Sequence, residues 1–173
     1  MVNMALHGKL ILSGADYVPL TFDGIGVFMA FSGNGLYKNK GACGMIINDG
    51  PLPPGKYYIV DRPTGSKLNQ IRAWGIDLFK STFMYHVDHS EWFALYRADD
   101  MVDDTTFYKG ISRGSFRLHP GQVSDGCITL AHQSDFNRLR GALLRTMKEK
   151  VPGKNLDSYG TIEVVANGSN TCP

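Results

Sequence analysis

The sequence predicts a mainly β fold, in which a strand-rich sandwich or barrel-like sheet is accompanied by one C-terminal helix. Its 20 glycines and 8 prolines are spread along 173 residues, which favours many turns between short strands. Runs rich in aromatic and β-branched residues, such as 56–60 and 161–165, are typical of strands. The hydrophobic fraction of 43% suits a full-sized core, and no linker or repeat interrupts the chain. We therefore expect one domain over residues 1–173.

Strands are predicted wherever an apolar or alternating run is bounded by glycine, proline or polar residues. The predicted strands are 9–12, 27–31, 56–60, 91–97, 115–119, 127–130 and 161–165. The segment 32–35 is predicted to form a turn or exposed loop, and 50–55 a rigid turn.

The clearest helix is predicted at 134–150. Phe136, Leu139, Leu143 and Met147 form one apolar stripe at helical spacing, and the basic end suits the helix dipole. A weaker helical pattern covers 66–80, where Gly75 interrupts it. The region 66–110 is longer than simple turns require, so we expect it to supply a cap or lid.

Charge and hydropathy exclude two classes of partner. The net charge of +2 is too small to indicate nucleic acid. No run of about 18 apolar residues is present, so we expect no membrane span. The N-terminus lacks the basic start, long apolar run and cleavage site of a signal peptide, so an exported protein would need another route.

The three cysteines leave at least one thiol unpaired, and we expect Cys127 to be that one. In one alternative Cys43 and Cys172 form a bridge, which suits an oxidising compartment. In the other they stay reduced, and composition favours this alternative about two to one.

Two segments resemble metal sites only weakly. The acidic run 99–104 lacks the glycine and the terminal glutamate of a helix–loop–helix calcium site, which favours a solvated loop. His86 and His89 have no third ligand near them in the sequence. We expect no metal or organic cofactor, since a thiolate can itself carry an acyl group.

The chemistry of the chain is predicted at His119 and Cys127. Alternation places Ser115, Arg117 and His119 on one face of a strand. If 128–130 returns antiparallel, His119 and Cys127 become near-opposite residues, with Cβ atoms about 5 Å apart. A neighbouring imidazolium would then lower the pKa of the thiol to roughly 3.5–7.5.

Two further features support a nucleophile at this position. Gly126 removes a side chain beside Cys127, and the N–H groups of these two residues could stabilise an oxyanion. The guanidinium of Arg117 could bind a substrate carboxylate, or it could form a structural salt bridge. The sequence is compatible with both of these roles for Arg117.

His119-Pro-Gly followed by Ser124-Asp-Gly-Cys127-Ile-Thr resembles the active-site motif of the L,D-transpeptidase (YkuD-like) catalytic domain, whose pattern is a His, a loop and Ser/Thr-His-Gly-Cys. Pro51-Leu-Pro-Pro-Gly-Lys-Tyr57 is similar to the family's turn and strand. The resemblance covers about residues 5–133. The chain departs from the pattern at Asp125 and Thr129, and its spacing from His to Cys is shorter.

These features resemble the compact L,D-transpeptidase effectors of type VI secretion. The resemblance implies an antibacterial enzyme that acts on peptidoglycan stem peptides in the periplasm of a target bacterium. It would trim the terminal D-alanine of tetrapeptides as an L,D-carboxypeptidase, or exchange it for a D-amino acid acceptor. Further expected partners are type VI secretion components and a cognate immunity protein. Cys127 matches the nucleophile and His119 the general base, while Ser124 and Gly126 match the nucleophile loop.

Two other functions remain as alternatives. A papain-like cell-wall endopeptidase or amidase would place its cysteine before its histidine and at a helix N-terminus, and this chain has the reverse order. A non-catalytic glycan-binding β-domain would leave Cys127 unreactive.

Overall fold

The computed structural model describes residues 4–63, 91–168 and 170–173. Eight strands close into a barrel in the order β1-β12-β4-β5-β8-β9-β3-β2, which confirms the predicted mainly β fold. Two-stranded sheets, β6–β7 and β10–β11, stand beside the barrel. The strands are β1 (Leu6–Leu12), β2 (Val18–Phe22), β3 (Gly26–Phe31), β4 (Gly55–Asp61), β5 (Phe93–Arg97), β6 (Thr105–Tyr108), β7 (Ile111–Gly114), β8 (Arg117–Pro120), β9 (Ile128–Leu130), β10 (Glu149–Lys150), β11 (Asp157–Ser158) and β12 (Gly160–Ala166).

Strand pairing closes the barrel, and alternation along each strand decides which side chains face its interior. In β4, Tyr57 and Ile59 point into the main core cluster, whereas Tyr58 and Val60 pack in a smaller cluster on the other face. Most strands pair antiparallel, but β1 pairs parallel with β12, so the first and last strands lie side by side in the barrel wall. The large buried side chains thus fill the barrel and fix the strand register.

One helix, α1 (Gln133–Leu144), is described, and it contacts β8 and β9. Phe136, Leu139 and Leu143 are buried as their spacing predicts. The prediction that the helix continues to 150 was wrong. Thr146 donates from both its N–H and its hydroxyl to the carbonyl of Leu143, which ends the helix, and Met147 is exposed.

A second correction concerns β8 and β9, which pair parallel and not antiparallel. The register sets His119 opposite Thr129, so Cys127 is not the residue opposite His119. Parallel strands usually need a long crossover. Here both strands are so short that the loop 121–127 is long enough to carry the chain back to the start of β9.

Cys43 and Cys172 form a disulfide across a sequence separation of 129 residues, and Cys127 is the free cysteine. The composition-based preference for two reduced cysteines was wrong, because composition carries no information on which loops meet. The bridge joins the C-terminal segment to the 3-10 helix Gly41–Cys43.

The weak helix predicted at 66–80, as well as His86 and His89, lies outside the described residues. Of the cap or lid expected at 66–110, only the part from residue 91 is described, and it contains β5 and β6. None of the helices in the described ranges is both long and apolar enough to cross a membrane.

Candidate active site

The predicted site lies on the outer face of strands β8 and β9. Leu118 and Ile128 belong to the core cluster inside the barrel. Alternation therefore turns Arg117, His119 and Thr129 to the opposite face. All three are buried, because other segments of the chain cover this face of the barrel.

His119 and Cys127 are diagonal neighbours on this face. The register pairs His119 with Thr129, and its extension by one step places Cys127 beside Arg117. Main-chain positions related in this way lie roughly 7–8 Å apart, within reach of side chains that turn toward each other. The structure thus brings the predicted base and nucleophile to one face, by a parallel pairing that the sequence did not predict.

The imidazole of His119 is held on three sides. Its ring stacks on that of Trp92, with 4.2 Å between the ring centroids. Nδ1 lies 2.8 Å from the carbonyl oxygen of Pro120, and since a carbonyl only accepts, Nδ1 carries the proton in the neutral ring. Nε2 is then the basic nitrogen, and it lies 3.3 Å from the hydroxyl oxygen of Thr129. This arrangement suits a general base.

The surroundings of Cys127 favour a protonated thiol. Its sulfur lies 3.9 Å from the carbonyl oxygen of Ser115, a contact that a thiol can donate and a thiolate cannot. Burial raises the pKa of Cys127 to about 11, although the main-chain N–H and the charge of Arg117 act to lower it. The prediction of a depressed pKa was wrong, because desolvation of the thiolate outweighs the nearby positive charge.

Ser124 shapes the loop before the nucleophile. Its hydroxyl donates to the carbonyl of Cys127 at 2.6 Å and accepts from the N–H of Gly33 at 3.2 Å. Asn34 donates to the Asp125 carboxylate at 2.9 Å. Burial raises the pKa of Asp125, and the hydrogen bond from Asn34 opposes this rise. The predicted turn at 32–35 is therefore docked on the nucleophile loop.

Arg117 forms a bidentate salt bridge with Asp104, at 2.7 and 2.8 Å. The guanidinium also donates to the carbonyl of Phe116, and the residue is 3% exposed. Burial alone would lower its pKa, but the hydrogen bonds and charge of Asp104 raise it. The geometry thus matches the salt-bridge alternative for Arg117. Asp104, at the end of the predicted solvated acidic loop, is the partner that the sequence did not identify.

Arg113 reaches the same loop from β7. It donates to the carbonyls of Gly44, Pro51 and Gly50 at 2.7, 2.9 and 3.2 Å, and to that of Asp125 at 3.4 Å. No pattern in the sequence assigns a role to this arginine. A strand register for the hairpin β6–β7 would have been needed to place it.

A cavity of about 210 Å³ adjoins the site between the hairpin β6–β7 and residues 47–48. Asp104, Arg113 and Ser115 line it, and Ser115 has a left-handed backbone with φ of 58°. The Ser115 carbonyl is also the contact of the Cys127 sulfur, so the cavity lies next to the nucleophile. Strained backbone of this kind is common at functional sites.

A family model described as the Tlde1 domain matches residues 26–154. The chain belongs to the Tlde1 domain family. It is thus assigned to a family of type VI secretion L,D-transpeptidase effectors, which act on the bacterial cell wall. The match spans most of the chain and includes His119, Cys127 and all the contacts of Arg113 described above. No curated protein matches the chain.

This assignment agrees with the resemblance drawn from the motif, although the match begins and ends later than residues 5–133. It also disfavours the papain-like alternative, because Cys127 of the Tlde1 domain precedes a strand and not a helix. Among the described residues, no group of three or more His, Cys, Asp or Glu side chains is placed to hold a metal ion.

Proposed function

We propose that this Tlde1 domain is a cysteine acyl-transfer enzyme that removes or exchanges the terminal D-alanine of peptidoglycan tetrapeptides. The observation that carries the proposal is the juxtaposition of His119 and Cys127 on one face, with the imidazole tautomer fixed by the Pro120 carbonyl. Family membership supplies the reaction class.

The first half of the reaction forms a thioester. His119 Nε2 takes the proton of the Cys127 thiol as the sulfur attacks the carbonyl carbon before the terminal D-alanine. The N–H groups of Gly126 and Cys127 donate to the oxyanion. The carbon–nitrogen bond then breaks, and the D-alanine amine leaves with the proton from His119.

The second half restores the thiol. Water or the amine of a D-amino acid attacks the thioester carbonyl, and His119 accepts a proton from the attacking group. The sulfur leaves and regains that proton. Water gives the trimmed tripeptide, and the D-amino acid gives the exchanged tetrapeptide. Because burial favours the neutral thiol, we expect proton transfer to His119 to accompany the attack of the sulfur.

Mass analysis of purified disaccharide tetrapeptides tests this function. The wild-type protein should produce the tripeptide, and a D-methionine-bearing tetrapeptide when D-methionine is added. Cys127→Ala and His119→Gln should lose both products. Retained trimming by Cys127→Ala would sink the proposal, and cleavage inside the stem would indicate an endopeptidase. Binding to peptidoglycan without any turnover would indicate the non-catalytic alternative.

We further propose that the domain acts in the target periplasm, after delivery by type VI secretion components, and that a cognate immunity protein covers the site. Expression with an added export signal should inhibit growth, whereas cytoplasmic expression should not. Cys127→Ala should abolish the inhibition. Equal toxicity in both compartments, or toxicity of the Cys127→Ala variant, would contradict this part.

A further inference from the structure

Arg113 is a buried cation with an unusual set of partners. The residue is 6% exposed, and its four hydrogen bonds go to main-chain carbonyls. Among the described residues it makes no salt bridge with a carboxylate, in contrast to Arg117. Burying a guanidinium without a counter-ion is costly, and the side chain here joins two loops that have no strand pairing with each other.

The guanidinium packs against the backbone of the nucleophile loop. A Cβ atom added to Gly126 would lie 2.3 Å from Nη2 of Arg113, so the Cα of this glycine is in direct contact with the side chain. Gly126 also has φ of 109°, which residues with a side chain rarely adopt. Contact and backbone conformation together fix how the chain enters Cys127.

The hydrogen bond to Asp125 fixes the direction of one peptide group. In a planar trans peptide the carbonyl and the following N–H point in opposite directions. Since Arg113 holds the Asp125 carbonyl, the N–H of Gly126 must point away from the guanidinium. No hydrogen bond within the described ranges uses the N–H of Gly126 or of Cys127.

We propose that Arg113 is a positioning residue for acyl transfer, which orients the Asp125–Gly126 peptide group so that the Gly126 N–H donates to the oxyanion. This inference rests on the proposed function and deepens it. Arg113 does not touch the reacting atoms, because the peptide group lies between its guanidinium and the site. Its contribution is to hold a donor in place before the substrate binds.

Two reactions of Cys127 separate this role from a general structural one. Trimming of the tetrapeptide passes through an oxyanion, whereas alkylation by iodoacetamide forms the sulfur–carbon bond at a tetrahedral carbon and expels iodide. Arg113→Lys should lower kcat for trimming by about 100-fold, as removal of one oxyanion donor does. The rate and pH profile of alkylation should stay within about threefold of wild type, since the thiol itself is unchanged.

Arg97→Lys is the matched control. Arg97 also donates to a main-chain carbonyl, that of Pro54 at 2.8 Å, and its described partners, Pro54 and Tyr108, lie outside the loop 124–127. This variant should trim as the wild type does. All variants are measured at a temperature at which circular dichroism shows them folded.

Gly126→Ala is the second variant, which disturbs the same peptide group with Arg113 in place. Gly126→Ala should lose trimming and keep alkylation. If Arg113→Lys does not fold, this variant tests whether the orientation of the Asp125–Gly126 peptide group matters for trimming. Unchanged trimming in the folded variants, or a parallel loss of trimming and alkylation, would overturn the inference. Neither result touches the proposed function, which is tested separately by the products of the wild-type protein and by Cys127→Ala.

Discussion

Burial and charge act in opposite directions on the Cys127 sulfur. Burial favours the neutral thiol, while Arg117 favours the thiolate with both its N–H and its guanidinium. Much of the Arg117 charge is balanced by Asp104, at 2.7 Å. Desolvation therefore decides the protonation state, and a resting ion pair between thiolate and imidazolium is not expected. A neutral thiol also limits reactions with electrophiles other than the substrate.

The raised pKa predicts how Cys127 alkylation depends on pH. Only the thiolate reacts with iodoacetamide, so the rate in the free protein should rise until about pH 11. An unfolded cysteine should reach its plateau above about pH 8.5. The measurement is a pH series of alkylation rates, with a synthetic peptide of residues 121–131 as the control. A plateau near neutral pH in the intact protein would show that burial does not raise the pKa of Cys127.

The residues that the motif could identify are those whose role depends on local sequence. Ser124, Gly126 and Cys127 follow one another closely, and the hydrogen bond from Ser124 to the Cys127 carbonyl forms within one loop. Trp92, which lies just before β5, and Arg113, in β7, reach the site from segments outside the motif. Their positions depend on how the barrel and the hairpin β6–β7 pack together, which no local pattern encodes, and the sequence therefore could not assign them.

At the level of strands and hairpins, the ion pair of Arg117 and Asp104 links β8 to the start of the hairpin β6–β7. Arg117 is 3% exposed and Asp104 is 15% exposed, so the pair is largely shielded from water. The same hairpin carries Arg113 into the nucleophile loop. The hairpin β6–β7 therefore contacts the site twice, through Asp104 at Arg117 and through Arg113 at the nucleophile loop.

Removal of Asp104 should destabilise the protein strongly. Asp104→Ala leaves the Arg117 guanidinium buried without its counter-ion, which we expect to cost about 3–5 kcal/mol. The double variant Asp104→Ala, Arg117→Met should lose less, because no charge is then stranded. Urea unfolding measures the free energies.

The pair Lys150–Asp157 supplies the control for this measurement. Its N–O distance is 3.0 Å, but the side chains are 63% and 49% exposed. Lys150→Ala should therefore cost less than about 1 kcal/mol. Similar losses of unfolding free energy from Asp104→Ala and Lys150→Ala would show that burial does not make the Arg117–Asp104 pair more important for stability.

The elements themselves were predicted well where a pattern is long and local. The strands around 56–60 and 161–165 and the start of the helix lie where periodicity placed them. The direction of β9 and the end of the helix were mistaken. The first depends on a parallel pairing between very short strands, and the second on the bonds from Thr146 to Leu143. Both are tertiary or single-residue effects that override a repeating pattern.

At the scale of the whole molecule, the disulfide should contribute much of the stability. Cys43 and Cys172 are separated by 129 residues of a chain of 173, so the bridge restricts most of the unfolded chain. Loop-closure entropy gives an upper value of about 5 kcal/mol for a loop of this length. Reduction with dithiothreitol should therefore lower the Tm markedly.

Thermal unfolding with and without the reductant makes this measurement. Cys172→Ser should show the low Tm under both conditions, whereas Cys127→Ser should respond to the reductant as the wild type does. If the wild-type Tm is the same with and without dithiothreitol, the bridge contributes nothing to stability.

The Cys43–Cys172 disulfide can form only in an oxidising compartment, which limits when the protein reaches its final covalent structure. The bacterial cytoplasm keeps thiols reduced, whereas the periplasm allows them to form disulfides. A chain that is made in the cytoplasm and acts in the periplasm leaves the producing cell with Cys43 and Cys172 still reduced. Under the delivery route proposed above, the disulfide therefore forms after the chain reaches the target periplasm, and the oxidants of that compartment complete the covalent structure.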